Sequence, residues 1–78
     1  MRNVFEGYLY DLIVLIKEEA LEAKKSKYKS SKADYDYNIG YLMGLHRVIS
    51  MMKNQTIAFG IDEVEIGLAD IDPERDLL

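Results

Sequence analysis

The chain has 78 residues, of which 49% are hydrophobic and 31% charged, and its net charge at pH 7 is −4. This length fits one domain, and the apolar fraction is too high for a disordered chain. The absence of cysteine excludes disulfides and thiolate metal sites, and a lone His46 excludes a multi-histidine site within one chain. A domain this small gains little stability from its own core, so we expect a second subunit to contribute.

The N-terminal segment and the lack of a long apolar run predict a cytoplasmic protein. Glu6 and Asp11 interrupt the first apolar residues, so we expect no signal peptide. The longest apolar run, 12–16, is too short to span a membrane. The net negative charge opposes binding to phosphate backbones, so nucleic acid is not an expected partner in general.

The first predicted helix covers about 4–25. Apolar residues recur there at steps of three and four, and Asn3 is positioned to cap the helix. Between residues 4 and 16 the helix is apolar nearly all round. Such a wide stripe predicts contacts on two sides.

A bend is predicted at about 26–33, where the apolar period stops and serine and lysine accumulate. The second helix is predicted at about 34–59, with Ser31 or Asp34 as its cap. A heptad-like seam repeats in it at steps of three and four, namely Leu42, Leu45, Ile49, Met52, Thr56 and Phe59. Gly60 follows at the position of a left-handed cap.

The last eighteen residues carry two further sets of helix signals. Asp62 with Glu65 resembles a capping box and predicts a short helix at about 63–67. Asp72 followed by proline predicts a terminal turn at about 73–77. The C-terminal segment is therefore expected to be ordered and to pack onto the two long helices.

These elements predict an all-α fold, namely an antiparallel helical hairpin with one or two short C-terminal helices. Two helices do not close a core by themselves, and both helices carry stripes too wide for one neighbour. We therefore expect a homodimer in which two hairpins form a four-helix bundle.

Gly40 and Gly44 stand out because glycine is unfavourable inside a helix, by about 1 kcal/mol relative to alanine. Small residues four apart allow another helix to approach closely. The alternative is a slot for a ligand. We interpret them as a helix crossing or dimer interface that also includes Tyr37, Tyr41, Leu45, Val48 and Met52.

One acidic motif has an enzymatic parallel. Glu18, Glu19 and Glu22 form EExxE, which resembles the first motif of all-α nucleotide pyrophosphohydrolases of the MazG kind. The resemblance implies that these carboxylates hold magnesium against nucleotide phosphates. The ExxD motif that follows in that family is not matched, since Asp34 and Asp36 are two residues apart.

The bend contains five lysines within residues 24–32, and Tyr28 lies among them. Such a pattern contacts phosphates while the tyrosine stacks on a base, or it forms a solvated bend. The residues of this candidate partner-binding site are Tyr28, Lys25, Lys27 and Lys29.

No combination of residues in the sequence forms a complete catalytic site. We therefore predict a non-enzymatic helical protein that acts through protein–protein contact, as a regulator, adaptor or inhibitor, with no cofactor and an unidentified partner. The alternatives are a divergent magnesium-dependent nucleotide pyrophosphohydrolase that uses the EExxE segment, and a weak nucleic-acid binder that uses the lysine-rich bend.

Overall fold

A computed structural model describes residues 3–78, which form an all-helical fold without strands. Two long helices, α1 (Val4–Lys29) and α2 (Tyr35–Phe59), pack against each other as an antiparallel hairpin. A 3-10 helix (Glu63–Ile66) and the short α3 (Pro73–Asp76) follow. The predicted all-α hairpin with short C-terminal helices is confirmed.

Helix α1 starts at a side-chain cap and extends beyond its predicted end at residue 25. The Asn3 side chain accepts a hydrogen bond from the Glu6 backbone N–H at 2.9 Å, as predicted. The helix continues to Lys29 because lysine is a good helix former and its charge is favourable near a helix C-terminus. The Ser30 hydroxyl then donates to the Ser26 carbonyl at 2.6 Å, which satisfies one of the free carbonyls of the last turn.

The connection between the long helices is therefore shorter than the predicted bend at 26–33. It covers residues 30–34, and α2 begins one residue later than expected. Of the two candidate caps, Ser31 makes the local bond, because its hydroxyl accepts from the Asp34 N–H at 3.3 Å. Asp34 occupies the cap position without a side-chain cap bond.

Two glycines allow the chain to turn where L-amino acids with side chains are strained. Gly60, at φ +67°, ends α2 as predicted, and the Ile61 N–H donates to the Thr56 carbonyl at 2.8 Å. Gly67, at φ +77°, ends the 3-10 helix. A Cβ at Gly67 would also lie 3.2 Å from the Tyr10 ring, so both space and backbone conformation favour glycine there.

The segment predicted as a helix at 63–67 is a 3-10 helix over Glu63–Ile66. Its cap is as predicted, because the Asp62 carboxylate accepts from the Val64 N–H at 3.0 Å. Only four residues lie between this cap and Gly67, and the Gly67 N–H bonds to the Val64 carbonyl three residues back. So short a segment favours the tighter helix.

The terminal turn, predicted at 73–77, forms the one-turn helix α3 and ends at Asp76. Asp72 caps it by accepting from the Glu74 N–H at 3.1 Å, and proline occupies the first turn, as predicted. The pKa of Asp76 is held below its usual range, mainly because the neighbouring Arg75 side chain donates to its carboxylate.

The core lies between the hairpin and the tail, by which we mean residues 60–78. Each part contributes buried side chains, which are Ile13, Ala20 and Ala23 of α1, Leu42 and Ile49 of α2, and Leu68, Ile71 and Leu77 of the tail. The tail thus covers one side of the hairpin. The opposite side has no such cover within the described chain.

Lys53 holds the tail on the hairpin through backbone acceptors. Its ammonium, on a side chain only 22% exposed, donates to the carbonyls of Leu68 and Ile71 and lies 3.4 Å from Glu63. Leu68 and Ile71 are buried residues, so water does not readily replace the lysine as the hydrogen-bond donor to their carbonyls.

Lys53→Met is therefore expected to lower the free energy of unfolding by about 1–3 kcal/mol, because two carbonyls lose a donor. Urea unfolding followed by circular dichroism measures this change. Lys25→Met is the matched control, since within residues 3–78 the ion pair of Lys25 is with Glu22 and both side chains are about 70% exposed. Equal losses in the two variants would contradict the proposed role of Lys53.

Asp70 forms a second link between tail and hairpin, through the Lys17 ammonium at 2.7 Å. This hydrogen bond lowers the pKa of Asp70. The link therefore stabilises the fold above the unfolded carboxyl pKa of roughly 4, and the stabilisation is lost as the pH falls through the lower folded value.

Asp70→Asn is expected to be less stable than the natural chain at pH 7, with a difference that shrinks under acid conditions. Because the Asp70 side chain is 75% exposed, added salt should also reduce the difference. Urea unfolding of both chains across the acid range provides the measurement. A stability difference that stays constant with pH would show that ionised Asp70 contributes nothing.

Candidate interaction surface

One face of α1 exposes large apolar side chains that nothing in the described chain covers. Phe5 is 83% exposed and Leu15 is 61% exposed. Isolated apolar residues are ordinary on protein surfaces, whereas a continuous row of them indicates a contact surface. Steps of three or four residues place on one face the members of this α1 row, namely Phe5, Tyr8, Leu12 and Leu15.

Helix α2 exposes a second row, distinct from the one that forms the core. Tyr37 is 74% exposed and Phe59 is 75% exposed. The same three- and four-residue steps connect the members of this α2 row, which are Tyr37, Tyr41, Gly44, Val48, Met51, Gln55 and Phe59. Within residues 3–78 no helix combines the length and apolar character needed to cross a membrane.

The two rows lie side by side. The Tyr41 hydroxyl on α2 donates to the Glu19 carboxylate on α1 at 2.6 Å, and this bond raises the pKa of Tyr41. Tyr37 stacks on Tyr41 with ring centroids 6.4 Å apart and planes within 4°. The α1 row and the α2 row therefore form one surface, which we call the open face.

The open face lies opposite the tail. Lys17 and Lys53 contact the tail, and each is five residues along its helix from a member of the open face, Leu12 and Val48 respectively. Five residues turn an α-helix through about 140° beyond one full turn. The hairpin thus has one side covered by the tail and one uncovered side.

An apolar groove of about 400 Å³ runs between the helices at one end of this surface. Its walls include Val48, Met51 and Phe59 of the α2 row, and Ile61 and Ile66 close its end. The described side chains that line it include no charged group. Such a groove suits the apolar side chains of another protein better than a charged substrate.

Gly40 and Gly44 do not mark a crossing with α1 within the hairpin. A Cβ built at either position meets no atom within 4 Å, and both residues are exposed. Gly44 lies in the α2 row between Tyr41 and Val48, where its missing side chain leaves a notch. Close approach of a second copy at this notch stays a prediction.

Two residues predicted at the interface belong mainly to the core. Leu45 and Met52 are partly buried and pack against the buried cluster of the hairpin and tail. Tyr37, Tyr41 and Val48 are on the open face, as the interface prediction requires. The α1 row was missing from that prediction, although the wide apolar stripe at residues 4–16 was a signal for it.

The three glutamates of the EExxE segment do not converge. Glu19 bonds to Tyr41, Glu22 lies 3.5 Å from the Lys25 ammonium, and Glu18 borders the cleft between α1 and the tail. Within residues 3–78 no group of three histidine or acidic side chains is arranged to hold a metal ion. The described side chains therefore do not form the magnesium site that the resemblance implies.

The lysine-rich bend is largely exposed, and Lys24, Lys25 and Tyr28 border an open cleft together with Leu21 and Asp76. Tyr28 is 70% exposed, and the Lys27 ammonium lies 5.3 Å from the centre of its ring. Lys25 pairs with Glu22, and Lys29 is exposed at the end of α1. A cation over a tyrosine at an exposed site contributes about 0.5–1 kcal/mol, so this contact between neighbouring residues adds little to the stability of the bend.

His46 has a neighbour that the sequence did not reveal. Its Nε2 lies 3.2 Å from a carboxylate oxygen of Glu74 in α3, and its side chain is mostly buried. The two groups do not have hydrogen-bond geometry, and Nε2 has no hydrogen-bond partner among residues 3–78. The contact brings a carboxylate to the histidine, but within residues 3–78 no third histidine or acidic side chain joins them in an arrangement that could hold a metal ion.

The open face is thus the most extensive feature of the described chain that its own fold leaves unexplained. It consists of apolar contacts, one tyrosine–carboxylate bond and a glycine notch. These features allow association with another protein surface. Comparison of the chain with models of known protein families, with curated proteins and with solved structures gave no match.

Proposed function

We propose that this chain is a non-enzymatic helical protein that acts through protein–protein contact, and that its open face binds a second copy. The observation that carries the proposal is the pair of adjacent apolar rows on the uncovered side of the hairpin. Two hairpins joined through these faces form a four-helix bundle, in which each helix has neighbours on both apolar sides.

The exposed area supports an interface of ordinary size. The chain exposes 5687 Å², whereas a compact monomer of its 9.0 kDa mass is expected to expose about 4,850 Å². The excess of roughly 800 Å² equals what one partner buries in a standard protein interface. The elongated shape, 47 × 21 × 16 Å, accounts for this excess and resembles half of a bundle.

Stability also favours a second copy. A domain of this size has little net stability from its own core, and the described side chains hold no metal cluster that would add to it. Burying Phe5, Leu15 and Met51 in a dimer removes from water surface that the monomer leaves exposed. The dimer then carries two tails and two lysine-rich bends on its outside, where a further protein partner would bind if the chain is a regulator or adaptor.

Subunit exchange tests self-association directly. Ordinary and ¹⁵N-labelled chains are mixed and examined by native mass spectrometry. We expect a hybrid dimer of one labelled and one ordinary chain, with a mass midway between those of the fully labelled dimer and the ordinary dimer. Detection of monomers only, at every concentration the protein reaches in solution, would overturn the proposal.

A further inference from the structure

We infer that the two copies pack with opposite ends together, so that the bend of one hairpin lies at the end of the dimer where α1 of the partner begins. This inference rests on the self-association proposed above. It fixes which of two symmetric arrangements the open faces adopt, and therefore which side chains meet across the dimer.

The two ends of the hairpin differ in charge. The end with the bend, which we call the basic end, is net positive, with five lysines against three acids. The lysines are Lys24, Lys25, Lys27, Lys29 and Lys32, and the acids are Glu22, Asp34 and Asp36. The other end, which we call the acidic end, is where α1 begins and α2 stops. It carries Glu6, Asp62, Glu63 and Glu65, and Lys53, a cation close to these acids, is already bound to Glu63 and the tail.

Two hairpins joined face to face have two possible twofold axes. An axis along the long dimension brings both basic ends together and both acidic ends together. The other axis lies in the interface and is perpendicular to the long dimension. It places the two basic ends at opposite ends of the dimer, and likewise the two acidic ends, and each chain is 47 Å long. At physiological salt, charges interact over about 8 Å, so adjacent like ends repel while distant ones do not. Charge therefore favours the crosswise axis.

The α2 row is also complementary in shape to a second α2 row that runs in the opposite direction. With the crosswise axis at Val48, the middle of the row, Gly44 of one copy is level with position 52 of the other and lies within one residue's rise, about 1.5 Å, of Met51. Tyr37 then faces Phe59 in the same way. The notch at Gly44, where a Cβ would meet no atom within 4 Å, thus receives a flexible methionine side chain. In this arrangement every member of the row has a partner.

Distances between spin labels distinguish the two arrangements. The chain contains no cysteine, so a single cysteine introduced at exposed Ser26 or exposed Arg47 carries the label. The bond between Tyr41 and Glu19 sets the two helices level, so Leu12, seven residues before Glu19, is the position of α1 nearest the proposed axis. Ser26 is fourteen residues from Leu12. At 1.5 Å per residue, two Ser26→Cys labels are expected about 40 Å apart with opposite ends together.

Arg47→Cys provides the matched control, because position 47 is next to Val48 and therefore close to the axis. Helices in contact lie 8–10 Å apart, so its two labels are expected within about 20 Å of each other. Like ends together predict the reverse order, with the Ser26→Cys labels closer than the Arg47→Cys labels. That reverse order in a dimer of correct mass would overturn the orientation while leaving self-association intact. A monomeric mass without dipolar coupling would overturn both.

Discussion

Replacing Val48 by lysine is expected to convert the dimer into a folded monomer. Val48 lies in the middle of the α2 row and is 39% exposed in the single chain, so the fold itself tolerates a longer side chain there. In the dimer the two lysines would be buried close together without partners. An unpaired buried charge costs about 3 kcal/mol or more, which weakens the dimer by about 100-fold or more. Sedimentation equilibrium measures the dissociation constant, and circular dichroism checks the helix content.

Ile57→Lys is the control for this prediction. Ile57 is on the same helix and is 74% exposed, but it borders the tail side near Glu63 and Glu74, outside the open face. The lysine there is expected to leave the dissociation constant unchanged. If Val48→Lys stays dimeric at the same concentration as the natural chain, the open face is not the interface.

Truncation of Ile49 to alanine is expected to lower the free energy of unfolding by about 2–5 kcal/mol. Ile49 is completely buried on the side of α2 that faces the core, among side chains of the hairpin and tail. Removing its outer carbons leaves a cavity that a close-packed core fills only in part. Urea unfolding at one fixed chain concentration provides the measurement, since the stability of a dimer depends on concentration.

Ile57→Ala removes the same carbons from an exposed position on the same helix. Its effect is expected to stay within about 0.5 kcal/mol, as for most surface substitutions. Comparable losses for Ile49→Ala and Ile57→Ala would mean that the tail does not close a core over α2. That result would contradict the packing of the tail on the hairpin described above.

Helix ends were predictable wherever a short-range signal defined them. Asn3, Gly60, Asp62 and Asp72 each act within three or four residues, and each caps its helix in the structure as the sequence indicated. The end of α1 was not predictable in this way. Serine and lysine are compatible with both a helix and a bend, and a bond from Ser30 to the Ser26 carbonyl extends the helix.

The side of the hairpin that remains open was not predictable from periodicity. Both long helices have apolar stripes wide enough for two neighbours, and the sequence does not say which part of each stripe the tail covers. That choice depends on contacts between distant residues, such as Lys17 with Asp70. Leu45 and Met52 are consequently in the core, whereas Tyr41 and Val48 are on the open face.

The neighbour of His46 shows the same limit. Glu74 is 28 residues away along the chain and reaches the histidine only because α3 packs on α2. A search for partners one turn away on the same helix does not find it. The EExxE segment illustrates the converse, since three glutamates close in sequence point to different neighbours in space.

The solution mass of the natural chain, measured by light scattering over a wide range of concentration, tests the central claim most directly. We expect a constant mass of twice the 9.0 kDa chain, with dissociation only at the lowest concentrations. That result would mean that the two apolar rows and the Gly44 notch serve self-association. A folded monomer of 9.0 kDa at all concentrations would contradict the four-helix bundle and leave the open face for a different protein partner.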